Sequence, residues 1–160
     1  MVELKTPANP FLLRDEDVRE AIELLFFAYR DFTARADALL ALKQFGRAHH
    51  RVLYFVGQYP GLSVSQLLDI LGITKQSLSR VLSQLVRDGH IAQKPGDTDR
   101  RQRLLHLTEK GRALERELTS EQRLRVAGAY RDAGAPAVEG FRKVMLGIMD
   151  PNVRKRFGFR

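Results

Sequence analysis

The chain of 160 residues has no cysteine and carries 27 Lys and Arg against 19 Asp and Glu, a formal charge of +8 at neutral pH. That length fits one ordinary domain, or one domain with extensions, and an apolar fraction of 44% gives it a core to bury. The absence of thiols excludes disulfides, thiolate metal sites, thiol nucleophiles and thiol-based sensing of oxidants, while the cationic excess favours a polyanionic partner.

The opening residues, MVELKTPANPFLLRDED, lack the charged start and apolar block of a secretory leader, and no apolar run is long enough to span a bilayer. A cytoplasmic protein is expected. From Asp17 to Leu42, apolar or small residues fall at Val18, Ile22, Leu25, Tyr29, Phe32, Ala36 and Leu39, in alternating steps of four and three. Such spacing predicts a helix with a seam for another helix. Leu24, Phe26 and Phe27 widen that seam beyond what one chain of this size easily covers.

The segment QFGRAHHRVLYFVGQYPG predicts a second helix, with Phe45, Ala48, Val52, Phe55 and Tyr59 inward and its end at Pro60 and Gly61. In LSVSQLLDILGI, Ser63 or Ser65 caps a short helix whose Leu67, Leu68 and Leu71 face inward, and Gly72 permits a sharp turn. Two helices joined this tightly cross steeply. The next run, TKQSLSRVLSQLVRDG, opens on Thr74, whose hydroxyl can cap free amides, and closes on Gly89. Leu78, Val81, Leu82, Leu85 and Val86 form its apolar face. Its other face offers Lys75, Gln76, Ser77, Ser79, Arg80, Ser83 and Arg87, side chains that donate to base edges and phosphates in a major groove. Alone, such a helix reads first as a solvated surface helix; its neighbours overturn that in favour of nucleic acid.

After it, an alternating run up to Lys94 and a second from Gln102 to Leu107 flank the turn cluster PGDTD, which predicts an antiparallel hairpin. Arg100, Arg101 and Arg103 make its tip basic, and arginines on a slender projection can enter a minor groove.

The order and spacing of GLSVSQLLDILGITKQSLSRVLSQLVRDGHI and GDTDRRQRLLHLTEKG resemble the MarR family of bacterial and archaeal regulators over about half the chain. The resemblance implies a mostly α fold with a small β-hairpin wing, a winged helix-turn-helix joined to a helical dimerisation stem. It implies a homodimer on a roughly palindromic operator in double-stranded DNA, with the helix from Thr74 to Asp88 in the major groove. It also implies control by a small effector. The family's wing pattern, an Asp followed by arginines, maps onto Asp99, Arg100 and Arg101, with Thr98 where the family often has another Arg. In relatives effectors bind near the junction of stem and reading domain, which makes Phe26, Tyr29, Arg30, His49, Arg51 and Tyr54 candidate pocket residues, each of which also fits an ordinary core or surface role. Arg30 is the group suited to an anionic effector.

LTEKG leads into a charged helix from Thr108 to about Asp132, with Leu114, Leu118, Val126 and Tyr130 inward and a kink expected at Thr119 and Ser120. Ala133 to Pro136 makes a break, and the last helix, with Val138, Phe141, Met145 and Ile148 as a second seam, stops at Asp150 and Pro151. Met145 and Met149 have packing rather than redox spacing. The seams at both ends suggest dimerisation through the termini, an intramolecular helical core being the alternative. Four regions follow: a dimerisation helix at 17–44, the DNA-binding domain at 45–107, connecting and dimerisation helices at 108–150, and a basic tail, NVRKRFGFR, at 151–160 that either touches phosphates or hangs free.

An enzyme is not expected. His49 and His50 are adjacent, His90 and His106 lie by the wing strands, and neither HExxH spacing, a phosphate loop nor a nucleophile elbow occurs. No metal or cofactor is therefore expected either. The functional expectation is a ligand-modulated, sequence-specific transcriptional regulator, most simply a repressor. The rivals are a winged-helix module for RNA or protein and a nonspecific architectural DNA binder. Basic residues at Lys75, Arg80 and the wing weigh against a protein-binding module.

Overall fold

The computed structural model describes residues 14–159, and the chain divides into two compact units, Met1–Thr119 and Ser120–Arg160. The first contains α1 (Asp15–Ala41), α2 (Arg47–Gln58), β1 (Leu62–Ser63), α3 (Val64–Leu71), α4 (Lys75–Arg87), β2 (Ile91–Pro95), β3 (Arg103–Leu107) and the start of α5 (Glu109–Ala133). The remainder of α5, α6 (Ala135–Ile148) and α7 (Pro151–Arg156) belong to the second. None of the described helices is long and apolar enough to cross a membrane.

In the first unit, Leu40, Val52, Leu53, Val56, Leu67, Leu78, Leu85, Leu105 and Leu118 are fully buried, so α1, α2, α3, α4, β3 and α5 each give at least one residue to a single core. Each side chain of this kind stabilises the fold by about 1.5–3 kcal/mol on transfer from water. The sheet has the order β1–β3–β2, all antiparallel, with Leu62 opposite Leu105 and Gln93 also opposite Leu105. Of the two serines that could cap α3, Ser63 does so: its Oγ accepts Gln66 N–H at 3.2 Å while Gln66 Oε1 accepts Ser63 N–H at 2.9 Å. Gly72 then leaves the helix in the left-handed region, at φ 61°.

Several inward assignments fail. Tyr59 is 57% exposed, because the inward face of α2 runs through Val52, Leu53 and Val56 and the backbone has left helical geometry at Tyr59, φ −127°, ψ 73°. Val126 and Tyr130 are also exposed, the Tyr130 ring meeting Phe141 edge-on at 6.1 Å. Helix α5 continues through Thr119 and Ser120, where the sequence suggests an interruption. The Thr119 hydroxyl donates to Glu115 Oε1 at 2.7 Å instead of competing for backbone carbonyls. The break before α6 shrinks to Gly134, at φ 81°, with Pro136 in the first turn of the new helix. Asp150 and Pro151 start a helix as well as follow one: Asp150 Oδ1 caps Asn152 N–H at 2.8 Å, so the tail from 151 begins as α7.

Candidate nucleic-acid interface

Helix α4 is built as its sequence dictates. Thr74 Oγ1 accepts Ser77 N–H at 3.2 Å and donates to Ser77 Oγ at 2.9 Å, so these two hydroxyls are spent on the cap. Leu78, Val81, Leu82 and Leu85 are buried and Val86 packs at their edge. Lys75, Gln76, Ser79, Arg80, Ser83 and Arg87 are exposed on the opposite side. Arg87 is committed to Asp88 at 3.0 Å, and that hydrogen bond holds the Asp88 carboxyl below its ordinary pKa.

The wing is a five-pair ladder from Ile91–Leu107 to Pro95–Arg103. At its tip, Asp99 Oδ1 accepts Arg101 N–H at 2.9 Å, Asp99 O accepts Gln102 N–H at 3.0 Å, and Gln102 O accepts Gly96 N–H at 3.0 Å. The carboxylate thus stiffens the turn and leaves the guanidinium groups of Arg100 and Arg101 outside it. From Lys75 to Arg103 there are seven Lys or Arg against three Asp, +4 of the chain's +8. Among the described residues, Lys75, Arg80, Lys94, Arg100, Arg101 and Arg103 make no ion pair, whereas Arg14, Arg30, Arg47, Arg112 and Arg125 all do. Exposed cations left without carboxylates attract an external polyanion.

The segment after the wing has a role that its sequence did not disclose. Thr108 Oγ1 donates to Gly89 O at 2.6 Å and accepts Gly111 N–H at 3.0 Å, while Lys110 Nζ donates to Asp88 O at 2.7 Å. LTEKG therefore clamps the end of α4. Gly111 is required there: a Cβ would stand 2.0 Å from the His90 carbonyl oxygen. His90 is buried with Nδ1 lacking a partner, and burial, with Lys110 nearby, pushes its pKa down.

Several of the six candidate pocket residues have partners outside the set. Phe26 is 64% exposed and Arg30 is bound to Asp31 at 2.9 Å with its guanidinium 4.8 Å from the Phe27 ring centre, so its charge is already answered. Tyr29 and Arg51 do meet, Arg51 Nη2 donating to Tyr29 Oη at 2.8 Å. Tyr54 packs edge-on against Phe55 at 5.2 Å. His49 is bonded to the start of its own helix and to α4. Beside it, His50 lies 3.5 Å from Thr119 Oγ1, its pKa lowered by burial against the opposing pull of Glu115 and Asp37. No group of three or more His, Asp or Glu among the described residues could hold a metal ion.

Comparison with known proteins gives a consistent result. The sequence model of the MarR family matches residues 43–102. The chain is 52% identical over 145 residues to the HTH-type transcriptional regulator PetP of Rhodobacter capsulatus, covering 91% of this chain and 87% of that protein. Among solved structures, FabT of Streptococcus pneumoniae in complex with DNA superposes with a TM-score of 0.72 at 21% identity, over 82% of this chain and 94% of its own. A MarR family protein of Mycobacterium tuberculosis in complex with p-aminosalicylic acid gives 0.54 at 24% identity, over 77% and 93%.

Proposed function

Because the chain belongs to the MarR family of transcriptional regulators, we propose that it binds a pseudo-palindromic operator in double-stranded DNA as a homodimer and acts most simply as a repressor. The observation that carries this reading is the pairing of α4, whose exposed face is polar and cationic, with a carboxylate-stiffened wing whose arginines have no ion-pair partner. Lys75, Gln76, Ser79, Arg80 and Ser83 read or hold the major groove, and Arg100, Arg101 and Arg103 serve the adjacent minor groove and phosphates. Thr74, Ser77 and Asp99 act by holding these elements in shape. The working regions are α1, the winged helix from residue 45 to 107, and the helices from 108 to 150, with the basic segment after them.

A second copy of the chain is the proposed cover for the apolar residues that α1 and α6 expose. For the effector, the Tyr29 hydroxyl and the Arg51 guanidinium, which has no ion pair among the described residues, are the anchors best suited to an aromatic weak acid. The ligand reported for the Mycobacterium tuberculosis relative is of that chemical class.

The test is selection of sites from random duplex DNA by the purified protein, followed by affinity against salt. Enrichment of an inverted repeat with half-sites about one helical turn apart is expected. Steeply salt-dependent binding with no enriched sequence would make it an architectural or RNA-directed protein instead.

A further inference from the structure

To serve a ligand, His49 would need a ring nitrogen to offer, and the fold commits both. Nδ1 accepts Gly46 N–H at 3.0 Å, one arm of a capping box on α2; glycine has no side chain to supply the other arm. Nε2 lies 2.9 Å from Oε1 of Gln84 in α4. A nitrogen that accepts a backbone N–H carries no proton, so the proton of the neutral ring sits on Nε2 and is donated to the carboxamide oxygen.

The ring plane is fixed as well. It stacks on Phe45 with centres 4.6 Å apart and planes 9° from parallel, and Phe45 in turn meets His90, just ahead of the first wing strand, edge-on at 5.5 Å. Phe45 closes the turn after α1, where its N–H bonds to Leu40 O and Gln44 turns at φ 56°. One stacked pair at the head of α2 thus touches the end of α1, the reading helix and the base of the wing. Gln84 stands one helical turn from Arg80 and beside Ser83. The apolar contacts of Leu78, Val81, Leu82 and Leu85 hold α4 to the core through a force that is not directional. A hydrogen bond to one edge of the helix is directional and resists rotation about the helix axis.

We infer that His49 is a positioning residue for DNA recognition: its Nε2–H bond to Gln84 sets the rotation of α4 and carries displacement of the α1–α2 junction to the base-reading side chains. The inference rests on the DNA-binding reading above.

Three substitutions separate this role from simple capping. His49→Asn keeps a short acceptor for Gly46 N–H and cannot reach Gln84. His49→Gln places an amide donor near the Nε2 position and gives up the cap. Gln84→Met removes the acceptor at similar volume. The ratio of affinities for the selected operator and for a scrambled duplex should fall about fivefold in His49→Asn and in Gln84→Met, with Tm held within about 2 °C. The double variant should be no worse than either single one. His49→Gln should keep the ratio and lose Tm. Unchanged ratios in both single variants, or losses that multiply in the double, would overturn the inference.

Two measurements on the DNA-free protein judge it separately from the DNA reading. Imidazole nitrogen NMR should show the Nε2–H form for His49, and hydrogen exchange at α4 amides should quicken in His49→Asn. An Nδ1–H form, or unaltered exchange, would sink the latch even if operator binding holds. Failure of the wild type to prefer any DNA sequence would instead remove the DNA reading.

Discussion

The reading edge and the outer helices handle their apolar residues in opposite ways. In α4, the side chains that the helical period turns inward are buried or packed at the core edge, and the exposed ones are polar. In the first half of α1, Val18, Ile22, Leu24, Leu25, Phe26 and Phe27 are all exposed, and in α6 Phe141, Val144 and Ile148 are too, with no residue of α6 buried. Both regions are amphipathic helix. What differs is how much of each face the chain itself covers: α4 meets α2 and β2 and joins the leucine core, whereas α1 buries only Thr33, Ala36 and Leu40 near its end. Exposed apolar side chains in such number mark an interaction surface, for which a second copy of the chain is the proposed cover.

The strongest way to break that comparison is to make the α1 face unable to accept an apolar partner. Ile22→Glu with Leu25→Glu places two carboxylates on surface that the described fold leaves exposed, so the winged helix should unfold at nearly its wild-type temperature. Burying an unpaired carboxylate costs several kcal/mol, so self-association should weaken by roughly a hundredfold or more. Analytical ultracentrifugation reads the outcome as a dimer turned monomer, with operator affinity falling alongside. A variant that still sediments as a dimer would remove α1 from the interface.

The sequence was legible where one chain satisfies itself. The caps at Ser63 and Thr74, the turn at Gly72 and the Asp99 turn at the wing tip all follow from local chemistry, because each donor finds its acceptor within a few residues. Assignments at Tyr59, Val126 and Tyr130 failed because periodicity marks an apolar face without saying what covers it. The clamp of Lys110 on Asp88 O and the His49–Gln84 bond were not legible, since they join residues 22 and 35 apart that no local pattern relates. Arg30 pairs with its neighbour Asp31, one position along, a contact that the apolar spacing of α1 gave no sign of.

Within the reading edge a finer division is testable. Arg101→Ala should weaken binding on all sequences and reduce the salt slope by about 1, because its proposed partners are groove shape and phosphate. Arg80→Ala or Gln76→Ala should instead relax preference at particular bases, at a loss of about 1–3 kcal/mol on the best site. Identical salt slopes for Arg101→Ala and wild type would undo the first assignment, and a uniform loss across sites the second. Either result would shift reading from helix to wing or the reverse.

The smallest effect expected is in pH. His50 and His90 are both held below their ordinary pKa, chiefly by burial, so the unfolded chain binds more protons than the folded one as pH falls. Their stabilisation is complete above the unfolded value, about 6.5, and is lost progressively as pH drops through that value toward the folded one. The carboxylates Asp17, Asp88 and Glu109 shift down through their Arg hydrogen bonds, so their contribution is lost only in the acid range, near 4 and below. Thermal melts between about pH 7.5 and 5.5 therefore isolate the histidines. His90→Leu removes a buried imidazole whose Nδ1 has no partner, and it should flatten that slope more than it lowers Tm at neutral pH. A slope equal to wild type would assign the acid sensitivity to His50, at the contact of α2 with α5, and leave the base of the wing indifferent to pH.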